Sequence, residues 1–273
     1  MSEQSSERAA PPSGTVRYEL AEAVATIGFD RPDQMNALDT PTKVALLEAV
    51  TRAAEDDAVR CVLLTGTGRA FCVGQDLREH VQLLASGDPS LWRTVPEHYS
   101  PIAGALAAMP KPVVAGVNGV AAGAGASLAM AADLRIVAES AGFNLAFAGI
   151  ALSADTGASW YLPRLVGLGR ARDLLLRPRT VGAAEALEIG LATEVVPDDE
   201  LAARARAVAV ELAAGPTLAY AALREVTSYS GTHDLAETLE VEGTWMERTG
   251  ASADHAEAVQ AFLAKRPPRF TGR

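Results

Sequence analysis

Residues 118–136 read NGVAAGAGASLAMAADLRI, and the placing of this run decides the fold. It holds no aromatic side chain, although a core segment usually draws its burial energy from bulky groups. Either something comes very close to this main chain, or the stretch is a weak membrane span. The uncharged window around it, Pro112–Ala132, is long enough to raise the membrane question. It contains four glycines and Asn118, and the chain offers no second candidate span, so close approach is the better reading.

The flanks of the run have a pattern. PVVAGV (112–117) is a continuous apolar run of the kind a buried parallel strand shows, ASLAMAAD (126–133) reads as a helix, and LRIVAE (134–139) as a third strand. Upstream, CVLLTG (61–66) is a similar strand, GTGRAFCVGQD (66–76) a Gly-punctuated loop, and LREH (77–80) a helix start. Strand, Gly-rich loop and helix thus recur about 50 residues apart, which is an internal structural repeat. Before the repeat, TVRYEL and AVATIGF form a hairpin-like start, RPDQMNAL (31–38) is a loop, and 41–56 has helical spacing. Residues 85–96 carry no clear pattern. After Gly182 the chain turns helical over 201–214, 217–229, 234–248 and 252–265, with Gly215-Pro216 and Gly231 as breaks. The expected organisation is a disordered leader over 1–14, an α/β core over 15–200 and a helical region over 201–273.

Composition narrows the function. With 273 residues, 49% hydrophobic and 21% charged, the chain can bury a sizeable core. A net charge of -10 argues against nucleic acid and anionic membranes as partners, though a local Arg/Lys cluster can still hold a small anion. Two cysteines, Cys61 and Cys72, make no disulfide framework, and MSEQSSERAAPPSG has no apolar signal core, so a cytoplasmic location is expected. No GxxxxGK[ST] occurs, and GAGAS lacks the third small residue of a dinucleotide fingerprint.

Two Gly-rich loops that each enter a helix can do one specific thing. A helix start exposes unpaired N–H groups, and glycine lets a ligand oxygen reach them. Two such donors meeting on one oxygen form an oxyanion hole. Packing alone explains one small-residue loop more simply than two matched ones.

The segments RPDQMNAL, GRAFCVGQDL, KPVVAGVNGVAAGAGASLAMAADLRI and the closing AFLAKRPPRFTGR resemble the crotonase (enoyl-CoA hydratase/isomerase) superfamily, in the same order and from about residue 15 to the C-terminus. The resemblance implies an α/β fold, the ClpP/crotonase-like spiral of repeated ββα units with a C-terminal helical trimerisation region. It implies an acyl-CoA substrate, no separate cofactor or metal, and a homotrimer or hexamer. It places the thioester oxygen between the N–H groups of Gln75 and Ala124. Ala37, Ala70, Asp76 and Leu77 would hold the adenine and pantetheine, and Phe262 and Lys265 would reach the nucleotide from their own or a neighbouring subunit.

The acid or base is where the chain departs from the family hydratases. Their two glutamates match Ser127 and Phe147 here, and neither can activate water or protonate carbon. AFAGIALSADTGASWYLPRLVG resembles the segment of epoxyphenylacetyl-CoA isomerases and related enoyl-CoA isomerases whose Asp transfers the proton, which is Asp155. Ser153-Ala154 replaces their usual Val-Pro. The competing role for Asp155 is to cap the helix that follows. Family dehalogenases use an Asp here as nucleophile with a His and a Trp; His98 could be that histidine, but the Trp position is Phe147, and a surface histidine is the simpler reading. Ser127 reads as a small helix residue and Cys72 as buried packing. Isomerisation through Asp155 is the leading expectation, with hydration, hydrolytic dehalogenation and non-catalytic acyl-CoA binding as alternatives.

Overall fold

An antiparallel hairpin, β1 (Val16–Ala21) and β2 (Val24–Phe29), opens the computed structural model, which describes residues 14–273. The leader expected over 1–14 lies, but for Gly14, outside the described residues. α1 (Thr40–Glu55) starts where Asp39 accepts a hydrogen bond from the N–H of Thr42, with Pro41 in the first turn, and it buries Leu46, Ala49, Val50 and Ala53.

Three turns of a spiral follow, and each gives one strand to each of two sheets. The first turn is β3 (Cys61–Gly66) and β4 (Ala70–Cys72), the second β5 (Val113–Val117) and β6 (Val120–Ala122), the third β7 (Leu134–Ala138) and β8 (Gly142–Asn144). β3, β5 and β7 pair in parallel, and so do β4, β6 and β8. With β9 (Thr180–Gly182) and β10 (Glu194–Val196), the result is a six-stranded sheet ordered β1-β2-β3-β5-β7-β10 and a four-stranded sheet ordered β4-β6-β8-β9. β5 sits inside the larger sheet and all its residues are buried, which explains its unbroken apolar sequence.

The first two turns end in helices at the Gly-rich loops: α2 (Leu77–Ser86) after β4 and α5 (Ala124–Met130) after β6. Between them, the unpatterned 85–96 region is largely helical: α3 (Ser90–Thr94), a π-helical turn (Val95–Tyr99) and α4 (Ser100–Ala107). The third turn runs into α6 (Ala158–Val166), then α7 (Leu168–Leu176) and α8 (Ala183–Glu188). α9 (Leu201–Ala213) follows residue 200 yet packs on β3 and β5, burying Ala205, Val208 and Ala209, so by packing it belongs to the sheet. α10 (Thr217–Ser230), α11 (Leu235–Gly250) and α12 (Ala253–Leu263) make the helical extension. Among the described residues no helix is long and apolar enough to cross a membrane, and the 112–132 window is divided among β5, β6 and α5.

Candidate active site

The two Gly-rich loops meet. Gly74 has a φ of +82°, and a Cβ there would lie 2.9 Å from the Ala122 carbonyl oxygen and 3.0 Å from the Ala124 nitrogen. A Cβ on Gly125 would lie 2.0 Å from the carbonyl oxygen of Cys72, so the start of α5 can sit on the end of β4 only with glycine at this position. The small-residue run is small because backbone meets backbone here.

This contact leaves two N–H groups unclaimed. Leu38 donates to the Gly74 carbonyl and accepts from the Asp76 N–H, so it engages the neighbours of Gln75. In an extended segment the N–H of the residue between then points the opposite way. Ala124 is the first residue of α5, whose N-cap Gly123 offers no side-chain cap. Neither the Gln75 nor the Ala124 N–H has a backbone acceptor among the described residues. Both line one cavity of about 450 Å³.

Buried Tyr99 and Phe147 and half-buried Ala146 and Asp155 line one part of this cavity, and its exposed rim carries Asp33, Arg69, Arg78, Ile150 and Leu152. Burial pushes the Asp155 carboxyl up from its ordinary value, against the hydrogen bond it accepts from the Thr156 hydroxyl at 2.8 Å. Asp155 does not cap α6 with its side chain: the N-cap is Gly157, and only the Asp155 carbonyl engages the helix, accepting from the Ala158 N–H. The carboxylate is therefore not committed to the helix start, and the Thr156 hydroxyl is its hydrogen-bond donor. Ser127 is buried and donates to the carbonyls of Gly123 (3.1 Å) and Asp155 (3.4 Å), fastening the Asp155 backbone to α5. With its proton committed and no imidazole bonded to it, it has no nucleophile's environment. Burial pushes the Cys72 thiol up to about 12, so it is inert packing.

The other sequence-predicted residues divide. Ala37, Asp76 and Leu77 line the cavity with Gln75 and Ala124. The Ala37 carbonyl accepts from Arg31 at 2.5 Å. Asp76 caps α2 through the N–H groups of Arg78 and Glu79. Burial pushes its carboxyl up, but hydrogen bonds from Arg31 and these N–H groups outweigh that and hold it below its ordinary value. Ala70 lies in β4 next to Arg69 and is not part of the lining, and its carbonyl accepts from the amides of Asn36 and Asn118. Phe262 and Lys265, at the end of α12, are exposed and absent from this cavity. His98 is outside the lining too, on the π-helical turn with Thr94 as its neighbour. Sequence reasoning missed Arg69, Arg78 and above all Tyr99, whose ring wall and hydroxyl bond to Gln75 have no local sequence signal.

Comparison with known proteins identifies the family of this fold. The sequence model of the enoyl-CoA hydratase/isomerase family matches residues 19–273. A Rhodobacter capsulatus protein named "Probable enoyl-CoA hydratase" is 45% identical over 95% of this chain and 98% of its own. The 1,2-epoxyphenylacetyl-CoA isomerase of Escherichia coli is 40% identical over 93% of this chain and 97% of its own. A Mycobacterium abscessus crystal structure described as a "putative Enoyl-CoA hydratase/isomerase" superposes with a TM-score of 0.91 at 45% identity, covering 94% of this chain and 100% of that one. The spiral, the paired Gly-rich loops and these matches run the length of the described fold: this chain belongs to the enoyl-CoA hydratase/isomerase, or crotonase, family.

Proposed function

We propose that this chain isomerises an unsaturated acyl-CoA, or a ring-epoxide acyl-CoA, through Asp155. The observation that carries the reading is that Asp155 lines the same cavity as Gln75 and Ala124, whose N–H groups have no backbone acceptor among the described residues. With the thioester oxygen between those donors, Asp155 takes a proton from one carbon of the acyl chain. The C–H electron pair moves into the conjugated system and rests on the thioester oxygen as an enolate, which the two N–H groups stabilise. Protonated Asp155 returns the proton to a second carbon as the double bond shifts. One carboxyl group suffices for both steps, and its raised proton affinity suits a group that must take and return a proton near neutrality. Arg69 and Arg78 at the exposed rim fit the phosphates of coenzyme A, and no separate cofactor is needed for this chemistry.

Hydration is the poorer reading on chemical grounds. It needs groups to position water and protonate carbon, and the two positions matching the hydratase glutamates hold a committed Ser127 and an apolar Phe147. The isomerase named among the relatives supports the proton shift.

Asp155→Asn tests it across a panel of enoyl-CoA and ring-epoxide acyl-CoA thioesters. Turnover should fall by about 10²–10⁴ while acyl-CoA affinity holds. Wild-type turnover in Asp155→Asn, or a greater loss in Ser127→Ala, would overturn the assignment. Binding of every thioester without turnover in the wild-type chain would show an acyl-CoA binder instead.

A further inference from the structure

A polar cluster of buried Lys43 and Tyr99 with half-buried Gln75 and Glu79 sits at the cavity and is not used by the proton shift. The Gln75 side-chain oxygen accepts two hydrogen bonds, from the Tyr99 hydroxyl at 2.7 Å and from the Lys43 ammonium at 3.2 Å. Lys43 can only donate, so it fixes which end of the Gln75 amide is oxygen. The Gln75 nitrogen donates to Glu79 at 3.1 Å. Lys43 also donates to Thr94 at 2.8 Å and Glu79 at 3.4 Å, which uses all three of its protons. Glu79 in turn accepts from the Thr40 N–H at 2.9 Å.

A buried ammonium is poor value as a stabilising device, because its desolvation offsets most of what the pairing returns. Lys43 is 1% exposed, and burial lowers its proton affinity despite the opposing pull of Glu79. What the cluster does well is hold one side chain. Gln75 carries a backbone N–H with no acceptor, its two neighbours are tied to Leu38, and its side chain is tied to Tyr99, Lys43 and Glu79. Residue 75 is thus fixed from both directions, and with it the aim of its N–H. Burial, and next the Asp155 carboxylate, push the Tyr99 phenol well above its ordinary value, so it stays a donor throughout.

We propose that Tyr99 and Lys43 are positioning residues, which clamp the Gln75 side chain and thereby aim its backbone N–H at the thioester oxygen. The clamp rests on the two-donor reading of the cavity but not on which acid moves the proton.

Tyr99→Phe keeps the ring and removes one of the two clamping bonds. Dimethylaminocinnamoyl-CoA, a thioester whose absorbance moves to the red when its carbonyl is polarised, reports the aim of the donors directly. We expect Tyr99→Phe to bind this probe within about twofold of wild type, with the red shift cut by roughly half and turnover down about tenfold at little-changed KM, a fraction of what losing a donor outright costs. Asp155→Asn should keep the full red shift. A full red shift with wild-type turnover in Tyr99→Phe would overturn the clamp, and so would a lowered melting temperature with an intact red shift. No red shift in the wild-type protein would sink the two-donor hole itself. Should Tyr99→Phe not fold, Gln75→Leu, whose side chain has no acceptor for either donor, takes the same test with the same outcomes.

Discussion

At the scale of the residue, the ionisation of Asp155 is linked to folding because burial pushes its carboxyl up. Below the ordinary carboxyl range, Asp155 holds its proton in both the folded and the unfolded chain, and the acid costs nothing extra. As pH rises, the unfolded chain releases the proton first. Stability contributed by this group is lost until pH has passed the raised folded value. Asn at this position has no such dependence. The melting temperature of Asp155→Asn should therefore match wild type below about pH 4, exceed it by a margin that grows as pH rises, and keep a constant margin once pH has passed the raised folded value. Paired thermal melts check this, and a margin independent of pH throughout would contradict a buried carboxylate. Turnover should show the mirror image, falling as pH drops through the same raised value, because the base must be ionised to act. Asp155 was legible in the sequence as the lone acid within 146–167. Tyr99 and Lys43 were not, since their shared partner Gln75 lies 24 and 32 positions away and a lone Lys or Tyr on a helix ordinarily reads as a solvent-facing group.

At the scale of the element, the contact between β4 and α5 sets how little room the site has. Gly125→Ala would drive a methyl against the Cys72 carbonyl, and both partners are backbone, so the two elements must part. A loss of about 2–4 kcal/mol in urea unfolding is expected, together with loss of acyl-CoA binding. Gly243→Ala is the contrasting case: it lies within α11 with open space around it, so better helix propensity should leave stability equal or raise it by up to about 1 kcal/mol. Equal effects from the two changes would show that propensity rather than close approach governs Gly125. The repeat of strand, Gly-rich loop and helix was readable because its long strands are unbroken apolar runs. β6 was hidden: three residues inside an Ala/Gly run are too short to show a period. The helical run from α3 to α4 was hidden for another reason. Pro96 and Pro101 look like breaks, but Pro96 falls at the start of a π-helical turn and Pro101 in the first turn of α4, both places where a missing N–H does little harm.

At the scale of the whole molecule, the helical extension carries more apolar surface than a lone chain would keep in water. Met246 on α11 is 73% exposed and Phe262 on α12 is 82% exposed, with Leu235, Leu239 and Leu263 also open. Light scattering at micromolar concentration should give a mass of three chains or six; a single-chain mass would contradict assembly through these helices. Phe262 and Lys265, exposed and absent from the lining of their own cavity, are the residues the resemblance would have reach a neighbour's nucleotide. The family resemblance conveyed this possibility, whereas no single-chain pattern could, because a surface meant for another copy looks the same as an unneeded apolar face. The spiral has a further consequence. Gln75 follows its first turn, Ala124 its second and Asp155 leads out of its third, so each successive turn delivers one member of the site. A nascent chain halted on the ribosome after the second turn would hold the Gln75 and Ala124 N–H groups without Asp155. On the proposed reading, in which Asp155 moves the proton, the order of synthesis brings that group out of the exit tunnel last of the three.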